Sequence, residues 1–243
     1  MAQSSLRMIP RAALPGLLIS AAATIWCWWT VGANLGLFLG TILFLTLYTP
    51  PIVLAEERAG RRIATACVAI GAATVLAFST ASVDVTAFEW FRCGIVLAAY
   101  AFALTGFASL LTVARFPAPI AAGITIFLFL AWLTWPVWLS PWLTQALADW
   151  LTPANPLLAI NGIVKQLGTW DRAPIAYRSL TVLNQDIPYH LPTSIIPAVL
   201  LHLAIGAPGM IVLARDLREN SPPPAKGKLQ VNPNDIWRQP GAL

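Results

Sequence analysis

Six stretches of the chain are apolar almost without interruption, at residues 12–30, 35–54, 63–82, 91–114, 120–142 and 194–214. A hydrocarbon core about 30 Å thick takes roughly 20 apolar residues in a helix, so each stretch is long enough to cross a bilayer. Transmembrane β-strands are instead about 10 residues of alternating polarity, whereas these runs are continuous and rich in Leu, Ala and Ile. The pattern predicts an all-α integral membrane protein with six transmembrane helices over residues 1–219, followed by a polar, proline-rich tail at 220–243 that is extended or disordered. Arg7 and Arg11 before "AALPGLLISAAA" imitate a secretory signal, but the run continues through "TIWCWW" and is too long for a signal core.

About fifty residues separate the fifth and sixth stretches, too many for an unstructured connection in a compact domain. In this outer segment, 143–193, Ser140 is a candidate helix cap with Pro141 behind it. Leu143, Leu147, Trp150 and Leu151 then recur at helical spacing until Pro153. Asn155 and Pro156 repeat the start pattern, and Leu157, Ile160, Val164 and Leu167 form a second stripe ending at Gly168. Helices of about 12 residues reach roughly 18 Å and cannot cross. The expectation is a helical pair that re-enters the outer leaflet or lies on it. Trp135, Trp138, Trp142 and Trp150 equally suit an aromatic belt, which leaves a purely interfacial cap as the alternative.

Composition fits this picture: 58% of residues are hydrophobic and 10% charged, with mean hydropathy +0.70, against roughly 25% charged in soluble domains. Charge then orients the helices. By alternation Arg7, Arg11, Arg58, Arg61, Arg62, Arg115, Arg215, Arg218, Lys226 and Lys228 all fall on one side. Cytoplasmic loops collect Lys and Arg, so a multi-pass protein of the cell (inner) membrane with both termini cytoplasmic is expected. The net charge of +5 sits beside span ends rather than on one face, which argues against nucleic acid as a partner.

Candidate chemistry is sparse. Cys27, Cys67 and Cys93 lie in expected spans with no paired spacing, so neither a metal site nor a disulfide framework is expected. A Cys27–Cys93 bond is conceivable only because both lie near the outer ends. No phosphate-binding loop, HExxH or dinucleotide fingerprint occurs, so no catalytic residue, metal or cofactor is assigned, and any ATP would be hydrolysed by a partner. Carriers driven by ions place ionisable residues inside their spans, and these interiors are nearly free of them. Glu89 and Arg92 mark the outer edge of the fourth span. His202 is the exception, best read as a neutral side chain hydrogen-bonded to a neighbouring helix. Haem ligation paired with His190 is excluded, because 12 positions along a helix are roughly 18 Å. Outside the membrane Asp171, Arg172, Arg178, Asp186 and His190 form a polar cluster. His190 with Asp186 could act as base and orienting acid, but no nucleophile motif accompanies them and a structural hydrogen-bonding role is preferred. Small residues in "AIGAATVLA" and "GITIF" allow close helix approach, and "YTPP" and "IGAPGM" predict kinks.

The densest charge is "AEERAGRR", residues 55–62, between the second and third spans. An inside anchor explains Arg58, Arg61 and Arg62 but not Glu56 and Glu57, because acids add little to orientation. Glu57 and Arg61 are four apart in the favourable helical order, and a short charged helix there suits a protein partner. This stretch resembles permeases of the ABC-2 transporter type, in which the segment after the second span carries a Glu-x-(Glu/Arg)-x-Gly pattern. Glu56 or Glu57, Arg58 and Gly60 match it, although the family's following Thr-Leu-x-x-Leu is replaced by "IATACVAIG". "NPLLAING", with Asn155, Pro156, Leu157 and Asn161, is similar to the family's short re-entrant helices between the fifth and sixth spans. The resemblance implies a permease subunit whose coupling helix, including Arg61 and Arg62, docks on a separate ATP-binding cassette subunit, as a homodimer or paired permease. With no charged ring in the spans, an amphipathic cargo is preferred over an ion. The alternative from another class is a non-catalytic structural or assembly subunit of a membrane complex.

Overall fold

The computed structural model describes residues 33–56, 62, 66, 86–163 and 191–219. The first expected span and nearly all of the third, together with the tail, lie outside the described residues. Every element described is helical. Four longer helices, α1 (Ala33–Ala55), α2 (Ala87–Val113), α3 (Ala118–Leu133) and a last helix at Ile196–Glu219, form the bundle. Between α3 and that last helix come α4 (Trp135–Trp138), a 3-10 turn (Ser140–Trp142), α5 (Gln145–Leu151), a second 3-10 turn (Thr152–Ala154) and α6 (Pro156–Ile163). The last helix is therefore α7. α2 and α7 are long and apolar enough to cross a membrane, with hydropathies of 1.9 and 2.1. Pro50 and Pro51 lie within α1 and Pro208 within α7, and both helices continue past them.

Local chemistry fixes the ends of α2. The Thr86 hydroxyl accepts from the Glu89 amide at 3.3 Å, and the Glu89 carboxylate accepts from the Thr86 amide at 2.9 Å. This reciprocal pair satisfies two N–H groups left open at the helix start. At the other end the Phe116 amide reaches the Leu111 carbonyl at 3.1 Å and the Arg115 amide reaches Thr112 at 3.0 Å. Such a closure needs a left-handed residue, usually Gly. Here it is Arg115, at φ 67°, a conformation costing about 1–2 kcal/mol with an L side chain. Pro117 then begins α3.

Contacts along the helices give their directions. Thr46 meets Tyr100, while Leu54 clusters with Ala108 and Leu111, so α1 and α2 run parallel. Phe129 packs on Tyr100 and Phe107, and Ala121 and Ala122 lie with Ala108, so α3 is antiparallel to α2. The Arg92 guanidinium donates to the Thr193 carbonyl at 2.6 Å, and Gly106 faces Gly206 and Gly209 further along. α7 is therefore parallel to α2. Arg92, expected as an interfacial anchor, ties the start of α2 to the residues entering α7.

Two of the helices also present apolar side chains outward. On α7 the buried positions are Ala198, His202, Gly206, Gly209 and Leu213, while Ile196, Leu200, Leu203 and Ile211 are exposed. On α3 Ala121, Ala122, Thr125 and Phe129 point inward, and Ile120, Phe127 and Leu128 outward. On these two helices the inward positions are mostly small or polar, with Phe129 and Leu213 among them, and the outward positions include large apolar residues. Buried threonines are tolerated because their hydroxyls donate to a carbonyl one turn back: Thr46 to Ile42, Thr105 to Ala101 and Thr125 to Ala121, at 2.7 to 2.8 Å.

The tightest crossing is between α2 and α7. A Cβ at Gly106 would land on the Gly206 carbonyl oxygen, and one at Gly209 on that of Gly106. At Gly206 it would lie 2.5 Å from the Phe102 ring and 2.7 Å from the Phe102 carbonyl oxygen. Backbone meets backbone here, as small residues permit between membrane helices. Gly106→Ala and Gly209→Ala should each destabilise the protein by about 1–3 kcal/mol or more through overpacking. Gly94 and Gly123 have open space where a Cβ would sit, so Gly94→Ala and Gly123→Ala should be neutral or stabilising by about 0.5–1 kcal/mol. Reversible unfolding in detergent measures the contrast.

Candidate functional site

The fifth expected span, 120–142, is not one helix. Its regular part stops at Leu133, because an amide at position 136 would donate to the Trp132 carbonyl and Pro136 has none. The Val137 amide turns to Thr134 at 2.9 Å, so the Leu133 carbonyl loses its helical donor as well. Two backbone acceptors are left open inside a packed bundle, where such groups need partners.

Asn155 supplies the partner. Fully buried, its amide nitrogen donates to the Trp132 carbonyl at 3.1 Å and reaches the Leu133 carbonyl at 3.5 Å. Its amide oxygen accepts from the Leu157 and Leu158 amides at 2.9 and 3.3 Å. The same side chain thus caps the start of α6 and repairs the end of α3. Pro156 suits the first helical position, where no donor is needed. Asn155 and Trp132 are 23 positions apart in sequence, and through them the two helix ends become one joint.

Helix α6 has eight described residues, Pro156–Ile163, and all are buried. It packs against α2, α1 and α7 rather than on the bundle surface. Gly162 is closed in too, because a Cβ there would land on the Pro192 carbonyl oxygen just before α7. The expected start at Asn155 and Pro156 is where the helix begins, and its expected continuation to Gly168 lies outside the described residues. The preceding helix differs from expectation. α5 is seven residues long and starts after Thr144, whose hydroxyl accepts from the Leu147 amide at 3.3 Å. Ser140 and Pro141 instead form a 3-10 turn, closed by the Trp142 amide on the Leu139 carbonyl at 2.9 Å. Of the four tryptophans grouped as a belt, Trp138, Trp142 and Trp150 are exposed, whereas Trp135 is a core residue.

Beneath this hairpin, a polar seam joins α1, α2 and α7. The Tyr100 hydroxyl lies 2.8 Å from the Thr46 hydroxyl, which donates onward to Ile42, so Tyr100 is the donor to Thr46. The Tyr100 ring meets the His202 ring edge-on at 5.3 Å. His202 does not hydrogen-bond to a neighbouring helix as expected. Its Nδ1 lies 2.6 Å from the Ala198 carbonyl of its own helix, and since a carbonyl only accepts, Nδ1 carries the proton. Its Nε2 is buried without a partner, as are Trp132 Nε1, Trp135 Nε1, Thr152 Oγ1 and Asn161 Nδ2. The hairpin seat therefore offers three N–H donors, a hydroxyl and, at His202 Nε2, an acceptor, and none of them carries a charge. Among the described residues no group of three His, Cys, Asp or Glu side chains could hold a metal, and Cys93 is a buried free thiol.

In the charged turn, Glu56 is half-buried directly after α1, and the Arg62 Nε donates to its carbonyl at 2.7 Å. An arginine on a terminal carbonyl offsets the partial negative charge of a helix end. Glu57, Arg58, Gly60 and Arg61 lie outside the described residues, as do Asp171, Arg172, Arg178, Asp186 and His190. Thr46 and Tyr100 were not singled out by sequence, because a buried Thr or Tyr carries no spacing that reveals its partner. The Asn155 joint did have a trace: Pro136 orphans an acceptor, and a buried donor has to meet it.

Compared with protein-family models, characterised proteins and solved structures, the chain matches none.

Asn155→Ala should destabilise the protein by about 2–4 kcal/mol, combining a lost cap with an unpaired buried carbonyl. Pro136→Ala returns the missing donor, so the double variant should be well below additive in a mutant cycle. Hydrogen exchange at the Leu157 and Leu158 amides reads the cap separately. Tyr100→Phe should cost about 1 kcal/mol, since Thr46 keeps its bond to Ile42, and detergent unfolding checks it.

Proposed function

We propose that this chain is a multi-pass membrane protein acting as the permease subunit of an ABC-2-like transporter, driven by a separate ATP-binding cassette subunit. The observation that carries the reading is α6, whose eight described residues are all buried and whose start is held at the broken end of α3 by Asn155. A buried helix that begins at a helix break inside the bundle fits the re-entrant element that the Asn155–Leu157 resemblance implies. Irregular backbone at membrane depth is tolerated where it is buried in protein. The exposed apolar faces of α3 and α7 suit lipid as their surroundings.

The helix directions support the same map. Parallel α1, α2 and α7 with antiparallel α3 is the order that six alternating spans give to the second, fourth, sixth and fifth. On that map the turn after α1 faces the cytoplasm, where Glu57 and Arg58 would contact the ATPase and Arg62 would steady the end of α1. The charge-free, donor-bearing hairpin seat favours an amphipathic cargo with oxygen acceptors over an ion.

Affinity purification of the native protein from its membranes should recover an ATP-binding subunit, and co-reconstitution should give ATP-dependent transport. Glu57→Ala with Arg58→Ala should abolish transport while leaving the permease folded and inserted. Recovery of the protein without any nucleotide-binding subunit, together with unchanged function of the double variant, would point to a structural or assembly subunit. Ala59→Cys, in a background lacking Cys27, Cys67 and Cys93, should resist a membrane-impermeant thiol reagent in intact cells. Labelling from outside would invert the map.

A further inference from the structure

Arg115 stands where the backbone asks for glycine. It closes α2 at φ 67°, is exposed, and its guanidinium makes no hydrogen bond or ion pair among the described residues. Its surroundings are apolar and exposed: Val113 and Phe116 on either side and Ile120 one turn into α3. A lone cation set in apolar surface suits neither a packed core nor a freely solvated loop. It does suit the boundary between hydrocarbon and headgroups, where long cationic side chains reach outward and aromatic rings settle.

Helix direction adds further charge at this level. Because α1, α2 and α7 are parallel, Arg62 after α1 and Arg215 near the end of α7 lie at the same end of the bundle as Arg115. Glu56 and Asp216 lie there too, engaged within the chain. The opposite end carries Glu89, Arg92 and Asp149, with Arg92 committed to Thr193.

We infer that the α2–α3 turn is a binding surface for anionic phospholipid, with Arg115 contacting the headgroup phosphate and Val113, Phe116 and Ile120 contacting the glycerol and upper acyl region. The inference rests on the membrane reading but not on the transporter assignment. It accounts for an arginine held in a left-handed conformation: the charge is needed where the turn is, despite the strain.

The test reconstitutes the full chain in bilayers containing spin-labelled phosphatidylglycerol or phosphatidylcholine and measures the preference of protein-bound lipid for the anionic headgroup. A cation at the membrane surface is worth about 1 kcal/mol toward anionic lipid, so Arg115→Gly should lower the preference about fivefold and Arg115→Lys should retain most of it. Glycine fits the turn's backbone, so loss of folding does not confuse the result. The idea is overturned if the wild type shows no anionic preference, if Arg115→Gly keeps it, or if inorganic phosphate at millimolar concentration abolishes it, which would indicate a free-anion site. It is equally overturned if Arg115→Gly leaves lipid selection intact but prevents recovery of an acidic protein partner. Failure to co-float with vesicles would defeat the membrane reading itself, whereas flotation with lipid selection but no ATPase partner would defeat only the transporter proposal.

Discussion

A single missing amide organises much of this molecule. Pro136 leaves the Trp132 carbonyl without its helical donor, and in an apolar bundle an unpaired backbone acceptor costs about 1–3 kcal/mol. Asn155 answers with one amide group used at both ends, donating to α3 and accepting from α6. Break, hairpin and re-entry are therefore one event. The chain can leave helical geometry at Leu133 only because it returns to the same place with a side chain that repairs the break.

Around that joint lies an apolar core that includes Leu133, Trp135, Leu157, Leu158 and Ile160, and small or polar residues serve where particular helices meet. Gly106, Gly206 and Gly209 bring α2 and α7 together backbone to backbone, while Thr46, Tyr100 and His202 place the polar atoms of three helices at one level. Large apolar residues are turned outward on α3 and α7. In surroundings as apolar as Leu, burying Leu would gain little and association would rely on close packing and hydrogen bonds. Thr46, Thr105 and Thr125 satisfy their hydroxyls within their own helices, as His202 does its Nδ1.

Much of the architecture was legible in the apolar runs. The stretches 35–54, 91–114 and 194–214 are occupied by α1, α2 and α7, and Asn155-Pro156 marks the start of α6. The fifth run misled, because hydropathy counts Trp135, Pro136 and Val137 as continuous apolar chain while hydrogen bonding does not. Ser140-Pro141 misled for a related reason. A capping residue is defined by the amide it can reach, and Thr144 reaches one at Leu147. The candidate site was half visible: Asn155, Pro156, Leu157 and Asn161 were readable, but nothing in their spacing named Trp132 as the recipient. The seam residues Thr46 and Tyr100 are 54 positions apart and carry no local signature.

Sequence by itself determined the helical class and the apolar runs that α1, α2 and α7 occupy, because these follow from local composition and from the length of apolar stretches. Tertiary structure alone decided which faces turn inward, which glycines bear the α2–α7 crossing, and which side chain completes the end of α3. Those outcomes depend on backbone groups from distant parts of the chain meeting within about 3 Å, and one-dimensional spacing cannot encode a meeting whose partners are set by how whole helices pack.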